Sequence, residues 1–428
     1  MCAAARPRRP DGRQHILRVV LPIPLDLVQT AAFAGVILFL GYGLRRAIPV
    51  LGKVNIPAPV CGGIPVAGAL AILYVSGYQP LKFDTTLQVP FQNTFFASIG
   101  FAASLSLLRR GGPLVLTFLV LSFVVAVLQN VLGATLAWAL GQHPLMGVLA
   151  GSVTMAGGPA TGLAFAPLFE QAGVPGAATL AVAAAIAGIV AGGVLGGPVA
   201  TYLIEHKLRG AGPGGPGSKT LTNLAEEQVP NPPLAAPAGE DVESYVLLKH
   251  LVLLMVTVGL GIWVGGWLSR LGVTLPAYIG AMLVAAVTRN LDDVTGVFGL
   301  SMRVIDDIGG IALALFLAMA LMTLRLWELT GLAVPLLILL AAQVALVAVI
   351  ATFVVPRLMG RDYDSAVMAG GFCGFMLGTS ANAMANMGAL VERYGPAPKA
   401  YLVVPLVGAF FIDFANALLI TFFLNLWR

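Results

Sequence analysis

Residues 151–162 read GSVTMAGGPATG, and residues 370–388 read GGFCGFMLGTSANAMANMG. Both stretches sit inside apolar segments, yet both are dense in glycine and small polar side chains. Glycine lets a backbone turn and approach a ligand closely. Irregular backbone at membrane depth is tolerated only where protein buries it or where it lines a cavity. Whether these two stretches cross a bilayer or dip in and return decides the topology of the whole chain.

The surrounding composition fixes the solvent. The chain has 428 residues, 58% of them hydrophobic and only 10% charged, with a mean hydropathy of +0.91. Soluble domains carry about a quarter charged residues, so a water-facing surface cannot be built here. An ordinary soluble enzyme, a disordered chain and a nucleic-acid-binding protein are thereby excluded, and a polytopic membrane protein remains. The net charge of +5 matches the Lys/Arg excess of cytoplasmic loops. Cys2, Cys61 and Cys373 form no disulfide framework or CxxC pair. His15, His143, His206 and His250 have no metal-ligand spacing. HExxH, G-x-S-x-G, Walker A and dinucleotide-binding motifs are missing, so neither an enzyme nor built-in ATP drive is expected.

Spanning-length apolar segments fall into two blocks of six. The first block holds 27–44, 58–78, 93–108, 113–140, 145–169 and 176–204; the second holds 246–268, 275–288, 308–324, 331–356, 365–390 and 400–426. Residues 1–24 form a basic tail with five arginines. The following apolar stretch ends at Arg45-Arg46 without a cleavage site, so it reads as a retained first transmembrane helix. Residues 206–245, rich in Gly and Pro, read as a flexible cytoplasmic linker. The blocks look like copies: Pro57 and Pro276, and Gly151 and Gly370, stand 219 residues apart, and Gly173 and Gly395 stand 222 apart. Residues 25–205 and 246–428 are therefore taken as two membrane repeats, a common transporter plan.

Parity then matters. If all twelve segments cross, the halves are parallel; if the fifth of each half dips, about 145–172 and 365–393, each half crosses five times and the halves are inverted. With ten crossings and the N-terminus outside, the cytoplasmic loops hold 15 Lys/Arg and the outer loops 4, leaving out the tail; twelve crossings give 9 against 10. The positive-inside rule selects ten crossings. It places both termini on the periplasmic side, although the five-arginine tail then also lies outside. The expected fold is an all-α polytopic membrane protein with two inverted repeats of five transmembrane helices plus one re-entrant hairpin each.

One residue carries most of the chemistry. Asp413 sits at the middle of segment 400–426, where a carboxylate costs on the order of 3 kcal/mol. Such a group binds a cation or lines a substrate path. Asn416 lies on the same helix face. In the dipping segments, broken helices expose amides that suit carboxylates and carbonyls that suit Na⁺. Gly158, Thr161, Gly162, Ser380, Asn382, Asn386 and Asp413 are the expected substrate-binding residues. Ser152, Thr154, Gly378, Thr379, Asp413 and Asn416 are the expected sodium ligands. Gly188–Pro198 reads as a helix-packing stripe, and Gln129, Asn130 and Gln343 as residues that join helices. Arg325 and Glu328 lie at a helix end, where snorkelling is the default.

At these residues the chain resembles the bacterial sodium/glutamate symporter family. The resemblance runs from about residue 27 to 426. HPLMGVLAGSVTMAGG, LALFLAMALM and ANAMANMGALVERYGP carry it, together with YLVVPLVGAFFIDFANALLI. It implies Na⁺-driven uptake of L-glutamate across the inner membrane, two inverted five-helix halves with hairpins from opposite sides, a homodimer and an elevator-like motion. No cofactor is implied beyond Na⁺ as the coupling ion, and no nucleic acid. Two departures fall in the hairpins. The family commonly reads GGHGTG where this chain has Gly157-Gly158-Pro159-Ala160-Thr161-Gly162. It commonly has Pro at the position of Ala381 and Thr at that of Asn382. Another dicarboxylate or hydroxycarboxylate, coupled to Na⁺ or H⁺, stays open as the cargo. A passive channel is disfavoured by the duplicated broken helices.

Overall fold

A computed structural model describes residues 23–78, 81–207, 241–270, 276–329 and 331–427. Most of the basic tail and most of the 206–245 linker lie outside the described residues. The described chain is almost wholly helical; its one sheet is a parallel pair, β1 (Ile23–Pro24) with β2 (Leu81–Lys82). That pair ties the chain entering the first helix to the chain leaving the second.

The first half of the chain comprises α1 (Leu27–Ala47), α2 (Ala58–Val75), α3 (Gln88–Phe101) and α4 (Leu105–Ala139), then α5 (Pro144–Val148) with a π turn at Leu149–Val153, α6 (Gly158–Gln171) and α7 (Ala177–Tyr202). In the second half come α8 (Val242–Arg270), α9 (Ala277–Thr295), α10 (Met302–Met322), α11 (Ala333–Phe353), α12 (Tyr363–Leu377) and α13 (Ser380–Tyr394). The last segment is split into α14 (Pro398–Leu406), a π turn at Val407–Phe411, and α15 (Ile412–Leu426).

Local chemistry sets these limits. A capping box starts α1: Asp26 Oδ1 accepts from Gln29 N at 2.8 Å, and Gln29 Oε1 accepts from Asp26 N at 3.1 Å. Ser104 caps α4 and so separates it from α3. The expected 93–108 span is accordingly displaced, with α3 running from Gln88 to Phe101. The short 275–288 segment is extended to Thr295, carrying Arg289, Asp292 and Asp293, until Gly296 ends it at a φ of 64°.

Among the described residues seven helices are long and apolar enough to cross a membrane: Leu27–Ala47, Ala58–Val75, Gly111–Ala139, Ala177–Lys207, Val242–Leu268, Met302–Met322 and Ala333–Leu358. Three expected spans fall short of that description for separate reasons. One is shortened by the Ser104 cap, one carries charges on α9, and the last is broken by its π turn. With 15 residues each, α12 and α13 are about 22 Å long, less than a bilayer core.

The helices pack as two groups. The first holds α1, α2, α3, α8, α9 and α10; the second holds α4 to α7 and α11 to α15. Similar glycine contacts occur in both halves of the chain within the first group. At the α1–α2 crossing, Gly41 meets Ala58 and Gly62 meets the Ile37 carbonyl; at the α8–α9 crossing, Gly261 meets Ala281 and Gly280 meets the Gly261 carbonyl. Likewise, Gly100 of α3 sits on Met282 of α9, and Gly63 of α2 on Leu321 of α10. Small residues let these helices approach closely where lipid gives no hydrophobic drive.

The ends of the elements also sort. Tyr363 Oη donates to Gly395 O at 2.6 Å, and Lys399 pairs with Asp362 at 2.9 Å, so α12 starts where α13 ends. At that same end Tyr394 bonds Glu205 and Lys207 lies over the Phe353 ring. Thr179, at the start of α7, donates to Arg325 O at the end of α10, and Tyr74 stacks there on Trp327 at 4.0 Å.

The glycine crossings generate a test. A Cβ at Gly62 or Gly280 would collide with a backbone carbonyl, whereas one at Gly35 meets nothing within 4 Å. Gly62→Ala and Gly280→Ala are each expected to cost roughly 1–3 kcal/mol, read as a lower Tm of the detergent-purified protein. Gly35→Ala should leave Tm unchanged.

Candidate functional site

A cavity of about 420 Å³ opens between the two helix groups. The first group lines it with Pro57 and Pro59 from the start of α2, Phe95 and Ile99 of α3, and Gly310 to Leu317 of α10. None of those side chains is polar. The second group supplies Ala156, Gly157, Pro159 and Ala160 from one hairpin, Gly378 to Ala381 from the other, and Gly408 and Asp413 from the broken last segment. Every polar side chain facing the cavity thus belongs to the second group.

The two hairpin tips meet at this cavity. Glycine is required at 158: its φ is +66°, and a Cβ there would touch Gly378 O and Thr379 Cγ2 at 3.5 Å. Behind the tips start α6 and α13. The opening amides of a helix have no partner within it and carry its positive dipole end. Thr379 caps α13 through Asn382 N, and Ser380 Oγ donates to Gly408 O at 2.9 Å. That bond joins the second tip to the break in the last segment. Pro159 removes one donor from the first turn of α6.

Asp413 is the one charged side chain in the lining, and no basic residue shares it. Among the described residues its carboxylate forms no salt bridge. The acidic and thiol groups nearby form no cluster fit for a divalent or transition metal, again among the described residues. The chemistry on offer is one carboxylate, two hydroxyls and the backbone at the hairpin tips.

The expected site residues separate into two shells. Gly378, Thr379, Ser380 and Asp413 line the cavity, and Gly158 stands at its edge. Thr161 and Gly162 lie a turn deeper in α6; Thr161 is buried, and Gly162 packs on Ala181. Asn382 and Asn386 sit behind the cavity, where their amides donate to carbonyls of α7. The Asn382 Nδ2–Ile189 O bond is 2.7 Å and the Asn386 Nδ2–Gly192 O bond 2.9 Å. Ser152, Thr154 and Asn416 are fully buried behind the first tip. Thr154 Oγ1 donates to Leu149 O at 2.8 Å, back-bonding its own segment. Asn416 Nδ2 donates to Ser152 O at 2.9 Å.

Other expectations fall into place. Gly188, Gly192 and Gly196 pack α7 against the second hairpin. Gln129 and Gln343 join helices: Gln129 Nε2 donates to Met376 O and Gln343 Nε2 to Gln129 O. Arg325 and Glu328 form an exposed pair at 3.4 Å beside a separate cavity of about 540 Å³. The sequence reading missed the first-group wall. Its residues are apolar and identical in kind to lipid-facing ones; only Pro57, noticed as a repeat marker, gave any signal.

Comparison with known proteins gives the family. The family model described as "Sodium/glutamate symporter" matches residues 23–396. A sodium/glutamate symporter of Escherichia coli (strain K12) is 41% identical over 404 residues, 94% of this chain and 98% of that protein. One from Haemophilus influenzae is 39% identical over 393 residues, 92% of this chain and 95% of the relative. With the family match running through both hairpins and the relatives covering more than nine-tenths of it, the chain belongs to the sodium/glutamate symporter family.

Proposed function

We propose that this protein is a Na⁺-coupled symporter that takes up L-glutamate across the bacterial inner membrane. One observation carries the reading: the lone carboxylate of Asp413 in a cavity closed by the first turns of α6 and α13, with no basic side chain in its lining. Glutamate brings a net negative charge into a site that already holds one. Burying such charge without compensation is costly. A co-transported cation supplies what the lining lacks, which makes coupling a requirement rather than an option. The helix ends take the substrate carboxylates, and Asp413 takes its ammonium group. Gly158, Ser380 and Thr379 shape the cradle, while Thr161, Gly162, Asn382 and Asn386 hold the hairpins in place behind it.

The same proposal includes the inverted plan. Residues 25–205 and 246–428 form two repeats, each with five crossings and one re-entrant hairpin, and the hairpins enter from opposite faces. Both termini are periplasmic and the 206–245 linker is cytoplasmic. The repeated glycine crossings and the sorting of element ends support this, as does the 15-to-4 loop charge split. An elevator-like motion is supported by the division of the cavity: the polar groups sit on one helix group and the smooth apolar wall on the other. A homodimer is included on the family resemblance alone.

Purified protein in liposomes should accumulate labelled L-glutamate under an inward Na⁺ gradient and show none with K⁺ on both sides. Asp413→Asn should lower that uptake about 10- to 100-fold while eluting as folded protein; near-normal uptake would remove Asp413 from the site. The topology has its own check. In a cysteine-free background, single cysteines at Gln142 and Pro175 should react with an impermeant thiol reagent from the periplasm, and those at Arg361 and Pro396 only from the cytoplasm. Twelve crossings would put Pro175 inside and Arg361 outside.

A further inference from the structure

Behind the first hairpin tip lies a buried network that the cavity does not explain. Gln129 and Asn130 of α4, Gln343 of α11, Asn416 of α15 and Ser152 of the π turn are all fully buried. They are tied into one unit by hydrogen bonds. Gln343 Nε2 donates to Gln129 O at 2.7 Å, Ser152 N to Asn130 Oδ1 at 3.0 Å, and Asn416 Nδ2 to Ser152 O at 2.9 Å. Gly151, between the strands of this network, has a non-helical backbone and faces Gln129 O and Asn130 Oδ1.

The partners of these amides fix their orientation. Gln129, Gln343 and Asn416 each direct an N–H to a main-chain carbonyl, leaving the side-chain oxygen turned away. Gln129 Oε1, Gln343 Oε1 and Asn416 Oδ1 have no hydrogen-bond partner, and neither do the Ser152 hydroxyl and Asn130 Nδ2. Each buried unpaired acceptor costs about 1–3 kcal/mol, and native interiors hold few. Three of these five unpaired atoms are amide oxygens, which can only accept. A hard monovalent cation needs only oxygens.

We propose that a coupling Na⁺ is held here, by Ser152 Oγ, Gln129 Oε1, Gln343 Oε1 and Asn416 Oδ1, and not on the Asp413 carboxylate. This rests on the Na⁺-coupled reading and adds to it. It takes Gln129 and Gln343 from a joining role into the ion site, and it separates the ion from the substrate cavity. The two remain linked, because Ser152 O also accepts from Ala156 N at 3.2 Å and Gly157 N at 3.0 Å, and those residues line the cavity. An ion that fixes Ser152 therefore fixes the tip that receives substrate.

Ser152→Ala is the decisive variant, since it removes an oxygen that makes no hydrogen bond. Full-length protein in detergent, without glutamate, is titrated with NaCl against choline chloride at constant ionic strength while Tm is followed. Na⁺ should raise Tm in the wild type, and K⁺ should not. Ser152→Ala should move the half-saturating Na⁺ concentration up by about tenfold or more, with Tm in choline equal to or above wild type. Gln129→Met should move it the same way, and serves if Ser152→Ala is poorly folded. Asp413→Asn should keep the Na⁺ response. An unshifted midpoint in either oxygen-removing variant, loss of the response in Asp413→Asn alone, or a wild type indifferent to Na⁺ overturns the site. Wild-type uptake in liposomes separates the two levels. If it is Na⁺-dependent while Ser152→Ala titrates normally, the ion lies elsewhere and the symport reading stands. If it needs no Na⁺, the symport reading itself falls.

Discussion

Everything in this fold depends on how broken helices keep their backbone satisfied away from water. An unpaired peptide group in hydrocarbon costs several kcal/mol. This chain interrupts its helices at Gly151, Gly157, Gly378 and the Val407–Phe411 turn. Side-chain amides tie main-chain carbonyls at and around these breaks. Gln129 serves Met376 O near the end of α12, Asn416 serves Ser152 O, and Asn386 serves both Gly192 O and Gly370 O. Gly374 O accepts from Gly378 and Thr379, closing the second tip.

The amides reach their targets only because glycine lets the elements close up. The Asn386 amide lies where a side chain at 196 would stand, and Cys373 O lies 3.1 Å from a Cβ at 192. The Gly188–Gly196 stripe of α7 is thus the seat of the second hairpin, and Asn382 and Asn386 are its pins. Sequence chemistry (small residues in one helix, amides in another) becomes a rigid second group. The first group answers with an apolar face of Phe95, Ile99, Leu313 and Leu317 toward the cavity. Such a face offers no side-chain hydrogen bond to the polar groups across the cavity.

Much of this was legible beforehand. Low charge and segment lengths gave the membrane class and most of the helices. Loop charges gave a parity. Asp413 was visible because a carboxylate amid GAFFIDFANALL has no other reason to be there. What one dimension could not supply was which side of a hairpin each polar residue faces. Asn382 and Asn386 look like ligands by type, and Ser380 and Thr379 look the same; helix phase turns the first pair onto α7 and leaves the second pair at the cavity. The break inside the last segment also escaped notice, since VGAFF has the composition of a lipid-facing helix. Gln129 and Gln343 were read as joints, and their N–H groups do join; only the direction of their oxygens carries more.

The separation of Asp413 from the Ser152 network has a thermodynamic consequence. Asn416 follows Asp413 by one turn of α15, so a single helix carries the cavity's charge on one turn and a network oxygen on the next. Ser152 O gathers donors from Ala156, Gly157 and Asn416, binding the first tip to that helix. Whatever orders Ser152 lowers the entropy still to be lost when substrate orders the tip. Linkage makes the effect mutual: an ion that tightens substrate binding is itself held tighter by substrate, by the same factor. Two sites a turn apart, sharing one carbonyl, can be coupled in this way without a direct contact between ion and glutamate.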